Sequence, residues 1–306
     1  MSSMILRADA RERTAPRRPR RRWTGLWFLV PFLAVFVVTI LAPVVYAVGL
    51  SLFRNRLIGG NSFVGLDNYI QAFGDPKFLE GLLRVCLFLV VQVPIMLVLA
   101  LIAALAIDSR RLAGAGFYRV AVFVPYAVPG VVAVLMWSFL YSDRYGLAGN
   151  LNTLLGSDFL RPFATEWILP SIGNIVTWEF VGYNMLIFYS ALTTVPEELY
   201  EAAAIDGAGP LRVVRSIKLP ALRGAIVIAT IFSIIGSFQL FNEPNILAGN
   251  APGVITTYFT PNMYAYNLSF VGQQANYAAT LAIIMGVVTA VIAYIVQVRG
   301  TRQDPR

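Results

Sequence analysis

Residues 82–107 read LLRVCLFLVVQVPIMLVLALIAALAI, a run whose one charge, Arg84, lies near its start. About 20 apolar helical residues cross the hydrocarbon core of a bilayer, and this run exceeds that length. A backbone in hydrocarbon must satisfy its own N–H and C=O groups, which a helix does within one segment. Comparable runs recur at about 26–52, 118–141, 168–194, 222–242 and 277–298. The expected fold class is therefore all-α: a polytopic membrane protein with six transmembrane helices. The first run is too long for the apolar region of a signal peptide and is read as a span.

Composition agrees. Of 306 residues, 58% are hydrophobic and 13% charged, about half the charge of a soluble domain. Mean hydropathy is +0.68. Prolines interrupt several spans: Pro31 and Pro43 in the first, Pro94 in the second, Pro125 and Pro129 in the third. Each frees a backbone carbonyl that neighbouring groups must satisfy, so these helices are expected to kink or to pack around something polar.

Several function classes are excluded by what the chain lacks. Without histidine it can form no His-ligated metal site and no Ser-His-Asp triad, and one cysteine, Cys86, allows no intrachain disulfide. The two lysines, Lys77 and Lys218, precede Phe and Leu, so neither belongs to a Gly-Lys-Ser/Thr phosphate loop. The chain is therefore expected to be no enzyme and to hold no cofactor. Any ATP hydrolysis, with its magnesium, falls to a partner. The net charge of +8 is concentrated in a tail with RERTAPRRPRRR at 11–22. That composition suits a disordered segment facing anionic lipid, not a nucleic-acid site.

Charge also sets orientation. Eighteen of the 24 Lys and Arg fall in the tail, the 108–119 and 195–223 segments and the C-terminus. By the positive-inside rule both termini are expected to be cytoplasmic. The organisation is then a basic tail (1–24), a membrane domain (25–300) and a short tail (301–306). Arg54, Arg56, Lys77, Arg84, Arg144 and Arg161 are assigned to the outer side.

The longest cytoplasmic connection is VPEELYEAAAIDGAGPLRVVRSIKLP, residues 195–220. Thr194 and Glu197 have capping-box spacing, with Pro196 expected in the first turn. Glu197, Glu198 and Glu201 favour a helix N-terminus, and Ala202 to Ala204 favour the helix itself. Gly207 can end it in the left-handed conformation. Gly209 and Pro210 start a second short helix, with Leu211, Val214 and Ile217 expected on one face. Pro220 is expected to open the fifth span. The product is a helix–Gly–helix elbow suited to a cleft in another protein, or an amphipathic hairpin lying on the membrane.

Glu201-Ala202-Ala203, Gly207 and Ile217-x-Leu219-Pro220 reproduce the EAA motif of bacterial binding-protein-dependent ABC importer permeases. FVGLDNY (63–69), VPYAVPG (124–130) and DGAGP (206–210, with Asp206) resemble the carbohydrate-uptake branch, the maltose and glycerol-phosphate permease type. The resemblance implies a type I importer permease fold in a bacterial cell membrane. It also implies an elbow that docks into an ATPase subunit and transmits nucleotide-driven closure. The implied partners are a second, different permease, two nucleotide-binding subunits and an extracytoplasmic solute-binding protein.

Polar and aromatic residues within the middle spans are the candidate pathway, since lipid-facing polar groups are costly. They are Trp178, Glu179, Tyr183 and Asn184 in the fourth span, and Ser237, Gln239 and Asn242 in the fifth. By motif position the resemblance adds Tyr126, Gly130 and Gly182 and reinforces Trp178 and Ser237. Aromatics beside neutral hydrogen-bonding groups suit a sugar. Other readings stand beside these: interfacial anchoring for Trp178 and Tyr183, helix–helix bonding for Asn184, an ion pair with Arg84 for Glu179. Asp67, Asp75, Asp143, Asp158 and Glu166 are candidates for the binding-protein surface. The alternative to an importer subunit is a secondary transporter driven by an ion gradient, with Glu179 as its buried acid.

Overall fold

The computed structural model describes residues 24–56, 60–109 and 112–301. The arginine-rich tail up to residue 23, Arg110, Arg111 and residues 302–306 lie outside the described residues. The chain divides into two units, 1–46 and 47–306. In the first, α1 (Thr24–Phe36) passes through a π-helical turn, Val37–Leu41, into α2 (Ala42–Ser51), which continues into the second unit. The π turn ends just before Pro43, whose ring nitrogen has no proton to donate. Beside it the Thr39 hydroxyl donates to the Val35 carbonyl at 2.8 Å.

The second unit opens with a hairpin, β1 (Phe53–Arg56) and β2 (Gly60–Phe63), with Phe53 opposite Phe63. Short α3 (Asp67–Phe73) leads into α4 (Pro76–Ile107), 32 residues long. This second span begins earlier than residue 82 because Asp75 caps it, accepting from the Lys77 amide at 3.0 Å, with Pro76 in the first turn. Next come α5 (Ala115–Phe123), a 3-10 turn (Val124–Ala127), α6 (Gly130–Leu140) and α7 (Leu147–Leu155). The fourth span is α8 (Ile168–Leu192). The elbow follows as α9 (Glu197–Ile205), α10 (Pro210–Val213), a π turn (Val214–Lys218) and α11 (Leu219–Ala221). The chain ends with α12 (Arg223–Phe238), α13 (Asn242–Leu247), α14 (Pro261–Phe270) and α15 (Ala275–Thr301).

Among the described residues five helical segments are each long and apolar enough to cross a membrane; the pair Ala115–Ala127 and Gly130–Leu140, bent by 97°, makes a sixth when taken as one span. The third span, expected to be disturbed by Pro125 and Pro129, is thus broken outright. Val128 is extended (ψ 130°) between Pro125 and Pro129, because the residue before a proline avoids the helical region. The fifth span starts at Arg223, as its expected bound of 222 requires, but Pro220 lies before it in α11, and the helix stops at Phe238, resuming as α13.

Packing within the second unit centres on α4 against α8. Lipid tails are as apolar as leucine, so close van der Waals fit, not water exclusion, holds spans together. Ala100 and Ala104, one turn apart and fully buried, let α4 approach Met185 and Phe188 of α8. A second cluster joins Phe78 and Val85 to Leu281 and Met285 of α15; a third joins Ile172 and Ile175 to Val134, Leu247 and Met263.

Two readings of charge are corrected. Arg84 donates to Glu80 at 2.5 Å and to the Phe259 carbonyl at 2.7 Å, so it does not pair with Glu179. Asp75 is committed to the fold and not left for a partner. One oxygen caps α4, and the other accepts the Tyr264 and Tyr277 hydroxyls, each at 2.8 Å. Burial, then the bond to Asp75, holds the Tyr264 hydroxyl far above its ordinary pKa and keeps it a donor. Asp75→Ala removes the cap and two charge-assisted bonds, a loss of about 2–4 kcal/mol. The detergent-solubilised protein should melt several degrees lower, with Asp75→Asn recovering part; an unchanged melting curve contradicts the hub.

Candidate functional site

The candidate residues of the second unit gather at a cavity among the spans and at the elbow. The cavity, about 390 Å³, lies between α4, the 3-10 turn, α8 and the end of α12. The break in the third span creates it. Pro125 and Pro129 bracket a turn that carries Tyr126 inward, stacked on Tyr183 with centroids 4.9 Å apart and edge-on to Phe180 at 5.9 Å. Offset aromatic pairs of this kind are favourable and present a flat apolar face.

Gly182 sets the spacing. A Cβ there would meet the Val122 carbonyl oxygen at 2.1 Å and the Phe123 Cα at 2.7 Å, so only glycine lets the third span lie this close to α8. The opposite wall comes from the early end of α12. Because the helix stops at Phe238, Gln239 and Asn242 stand exposed at the cavity with Glu243 beside them. The buried Ser237 hydroxyl donates to the Ser233 carbonyl at 2.8 Å.

Of the sequence-predicted pathway residues, Tyr126, Tyr183, Asn184, Ser237, Gln239 and Asn242 come together on this cavity. Gly130, Trp178, Glu179 and Gly182 do not; they form the contact between α8 and the two halves of the third span. Trp178 packs edge-on against Trp137 at 6.0 Å, and a Cβ on Gly130 would lie 3.2 Å from the Glu179 carboxylate. Glu179 is 8% exposed, and its second oxygen has no hydrogen-bond partner among the described residues.

Sequence reasoning missed Gln92. This α4 side chain is 6% exposed and donates to the Thr177 hydroxyl at 2.9 Å, while its carbonyl oxygen is buried without a partner among the described residues. Asn184 is similar: it donates to the Phe180 carbonyl at 3.0 Å, and its own oxygen has no partner among the described residues. The signal for Gln92 was available, since it is a lone amide in an apolar run beside Pro94. The cavity thus offers stacked aromatic faces, unpaired amide acceptors and amide donors, with one carboxylate, Glu243, at its edge. Among the described residues no three His, Cys, Asp or Glu side chains converge as metal ligands do.

The elbow is built much as its residues dictate. Gly207 has φ +68°; the Gly207 amide bonds to the Ala204 carbonyl at 3.1 Å and the Ala208 amide to the Ala203 carbonyl at 2.8 Å, closing α9. A Cβ at Gly207 would meet nothing within 4 Å, so the constraint there is backbone conformation, not crowding. Gly209 caps α10, and Pro210 sits in its first turn. The capping box does not form. Pro196 itself occupies the cap position, and the Thr194 hydroxyl turns back to the Ala191 carbonyl at 2.8 Å, closing α8 instead.

Leu211 does not join Val214 and Ile217 on a covered face. It is 80% exposed, and Ile205 is 87% exposed, so the elbow presents an apolar tip. Glu201, Ala202 and Asp206 are exposed on its first arm; Ile217 and Leu219 are half-buried on its second, and Pro220 is exposed. The elbow and the end of α4 also line a cavity of about 600 Å³, reached by Asp108, Glu197, Tyr200, Glu201 and Lys218.

Residues 68–306 match the family described as binding-protein-dependent transport system inner membrane component. The chain is 34% identical over 302 residues to the diacetylchitobiose uptake system permease protein NgcF of Streptomyces coelicolor, covering 91% of this chain and 84% of that one. It is 31% identical to the lactose transport system permease protein LacF of Rhizobium radiobacter (89% and 92% covered). Identity is 30% to the trehalose/maltose transport system permease protein MalF of Thermococcus litoralis (85% and 88%). The fold is that of a chain in the crystal structure of a bacterial ABC transporter that imports the acidic polysaccharide alginate. The TM-score is 0.80, with 19% identity and 93% of this chain and 97% of that chain covered.

The close approach at Gly182 can be checked directly. Gly182→Val should lower the melting temperature and uptake together, because α8 and the third span must separate. Gly224→Val, where an added Cβ meets nothing within 4 Å, is the control and should change neither. Equal behaviour of the two variants would contradict the assignment.

Proposed function

The chain belongs to the family of binding-protein-dependent transport system inner membrane components, and from that premise we propose how its parts divide the work of an ATP-driven importer of a sugar or sugar-like solute. It is a multi-pass permease subunit of an ABC importer. Its cavity is half of the translocation pathway, and its elbow is the coupling element. The observation that carries this reading is one chain holding both a polar, aromatic cavity among spans and an ordered elbow with an uncovered apolar tip.

The solute class follows from the cavity's chemistry. Stacked Tyr126 and Tyr183 suit the apolar face of a pyranose ring. The unpaired oxygens of Gln92 and Asn184 suit hydroxyl donors, since a buried acceptor left unpaired costs about 1–3 kcal/mol. Gln239 and Asn242 supply amide donors and acceptors together. Little fixed charge faces the cavity, which disfavours a multiply charged ion. The relatives named for diacetylchitobiose, lactose and trehalose/maltose uptake support a carbohydrate.

Both termini and the elbow are cytoplasmic in this reading, and the segment carrying α7 and α14 faces outward. A second, different permease completes the pathway. Two separate nucleotide-binding subunits hold ATP and magnesium, and this chain hydrolyses nothing. A solute-binding protein docks outside, where Asp67, Asp143, Asp158 and Glu166 contribute surface charge. When the ATPase subunits close, they carry the elbow with them. Ile205 and Leu211 enter an apolar groove, and Glu201, Ala202 and Ala203 form the small-residued arm beside it. Gly207 fixes the angle between the arms.

A β-branched residue at φ +68° is strained, so Gly207→Val should leave the subunit inserted yet uncouple it. In proteoliposomes ATP hydrolysis should continue while uptake stops; normal uptake would refute the coupling assignment. Independently, joint replacement of Tyr126, Tyr183, Gln239 and Asn242 by alanine should raise the apparent KM for uptake without loss of assembly. Wild-type uptake in that variant would reject the cavity as the path.

A further inference from the structure

We infer that Lys218 and Asp108 form a strut that ties the elbow to the second span and carries the elbow's displacement into the helix core; this rests on the coupling role proposed above. The two residues are 110 positions apart, yet the Lys218 ammonium lies 2.5 Å from Asp108 Oδ2. Their side chains are 12% and 17% exposed, so the pair is largely shielded from water. By contrast, the ion pair of Arg84 with Glu80 joins neighbours on one helix turn and links no two elements.

Three elements meet at Lys218. Asp108 is the C-terminal cap of α4, with its amide bonded to the Ala104 carbonyl, so its position is that of the α4 end. The lysine also lies 5.7 Å from the ring of Tyr200 on α9, the elbow's first arm. Lys218 itself ends the π turn of the second arm. A π turn adds a residue to the helical repeat, and such turns recur at functional positions. The ammonium thereby fixes both arms of the elbow against one span.

The chemistry suits a strut better than a surface contact would. An exposed ion pair is weak and readily replaced by water. A largely shielded pair cannot part cheaply, because each partner would be left as an uncompensated charge. Glu197 and Glu201 reach the same 600 Å³ cavity, yet the lysine selects Asp108, the carboxylate attached to a span. Beyond Asp108 the path is continuous: the adjacent buried turns of α4, at Ala104 and Ala100, pack on Phe188 and Met185 of α8. Further along, α8 carries Asn184 and Tyr183 to the solute cavity. Lys218 and Asp108 are positioning residues: they touch neither solute nor nucleotide.

The test uses the complete importer in proteoliposomes, with Asp108→Asn, Lys218→Gln and the double exchange Asp108→Lys/Lys218→Asp. The single variants should retain the ATPase subunits on purification and continue to hydrolyse ATP, while solute moved per ATP falls about fivefold. The double exchange should recover most of that ratio. Single variants with the wild-type ratio, or an exchange that recovers nothing, would overturn the strut. A fall in hydrolysis and uptake by the same factor would also overturn it, since the pair would then serve docking alone. Failure of the coupling role itself is read elsewhere, from Gly207→Val with intact transport, so the two failures are distinguishable.

Discussion

In hydrocarbon no water is available to a free N–H or C=O, so an apolar span must be helical unless protein or a wetted cavity receives the groups that leave the helix. That constraint makes each departure informative. Within the second unit the apolar segments leave regular α-helix at two notable places, the turn around Val128 and the end of α12 at Phe238. Both open onto the same 390 Å³ cavity. The break at Val128 carries Tyr126 to Tyr183, and the stop at Phe238 releases Gln239 and Asn242. Irregular backbone and polar side chains therefore coincide, which a purely structural kink would not require.

The same constraint orders the rest of the second unit. Where a span cannot gain from excluding water, it gains from fit, and fit demands small residues at crossings. Ala100 and Ala104 supply it between α4 and α8, and Gly182 supplies it against the third span. The N-terminal end of α4 is closed by Asp75, which ties it to α14 and α15 through one carboxylate. Its C-terminal end is tied by Lys218 and Asp108. A span fixed at both ends and close-packed along its length transmits displacement with little loss to bending, as a coupling path needs.

Much of this was legible from residue order. Long apolar runs gave the spans, and Gly207, Gly209 and Pro210 gave the elbow, because backbone preferences act locally. The 97° bend was less legible: Pro125 and Pro129 announced a disturbance, but how far the halves swing depends on packing against α8. Pathway residues divided for the same reason. Polarity within a span marked Trp178 and Glu179 as readily as Tyr183 and Asn184, although one pair faces the helix contact and the other the cavity. Partner choice was least legible. Asp75 looked like a surface acid and Arg84 like a mate for Glu179, until residues nearly two hundred positions away claimed them. Thr194 and Glu197 had the spacing of a capping box, yet Pro196 took the cap and left the threonine to close the helix before it.

The account stands on an elbow that is held by another protein on the inner side of the membrane. A photo-reactive cross-linker placed at Ile205, compared with one at Leu154 on α7, tests this in intact membranes; both positions are more than four-fifths exposed. The account predicts that the probe at 205 captures the nucleotide-binding subunit, while the probe at 154 never does and is reached by membrane-impermeant reagents from outside. Capture of lipid alone at 205, or its labelling from the outer face, would contradict it.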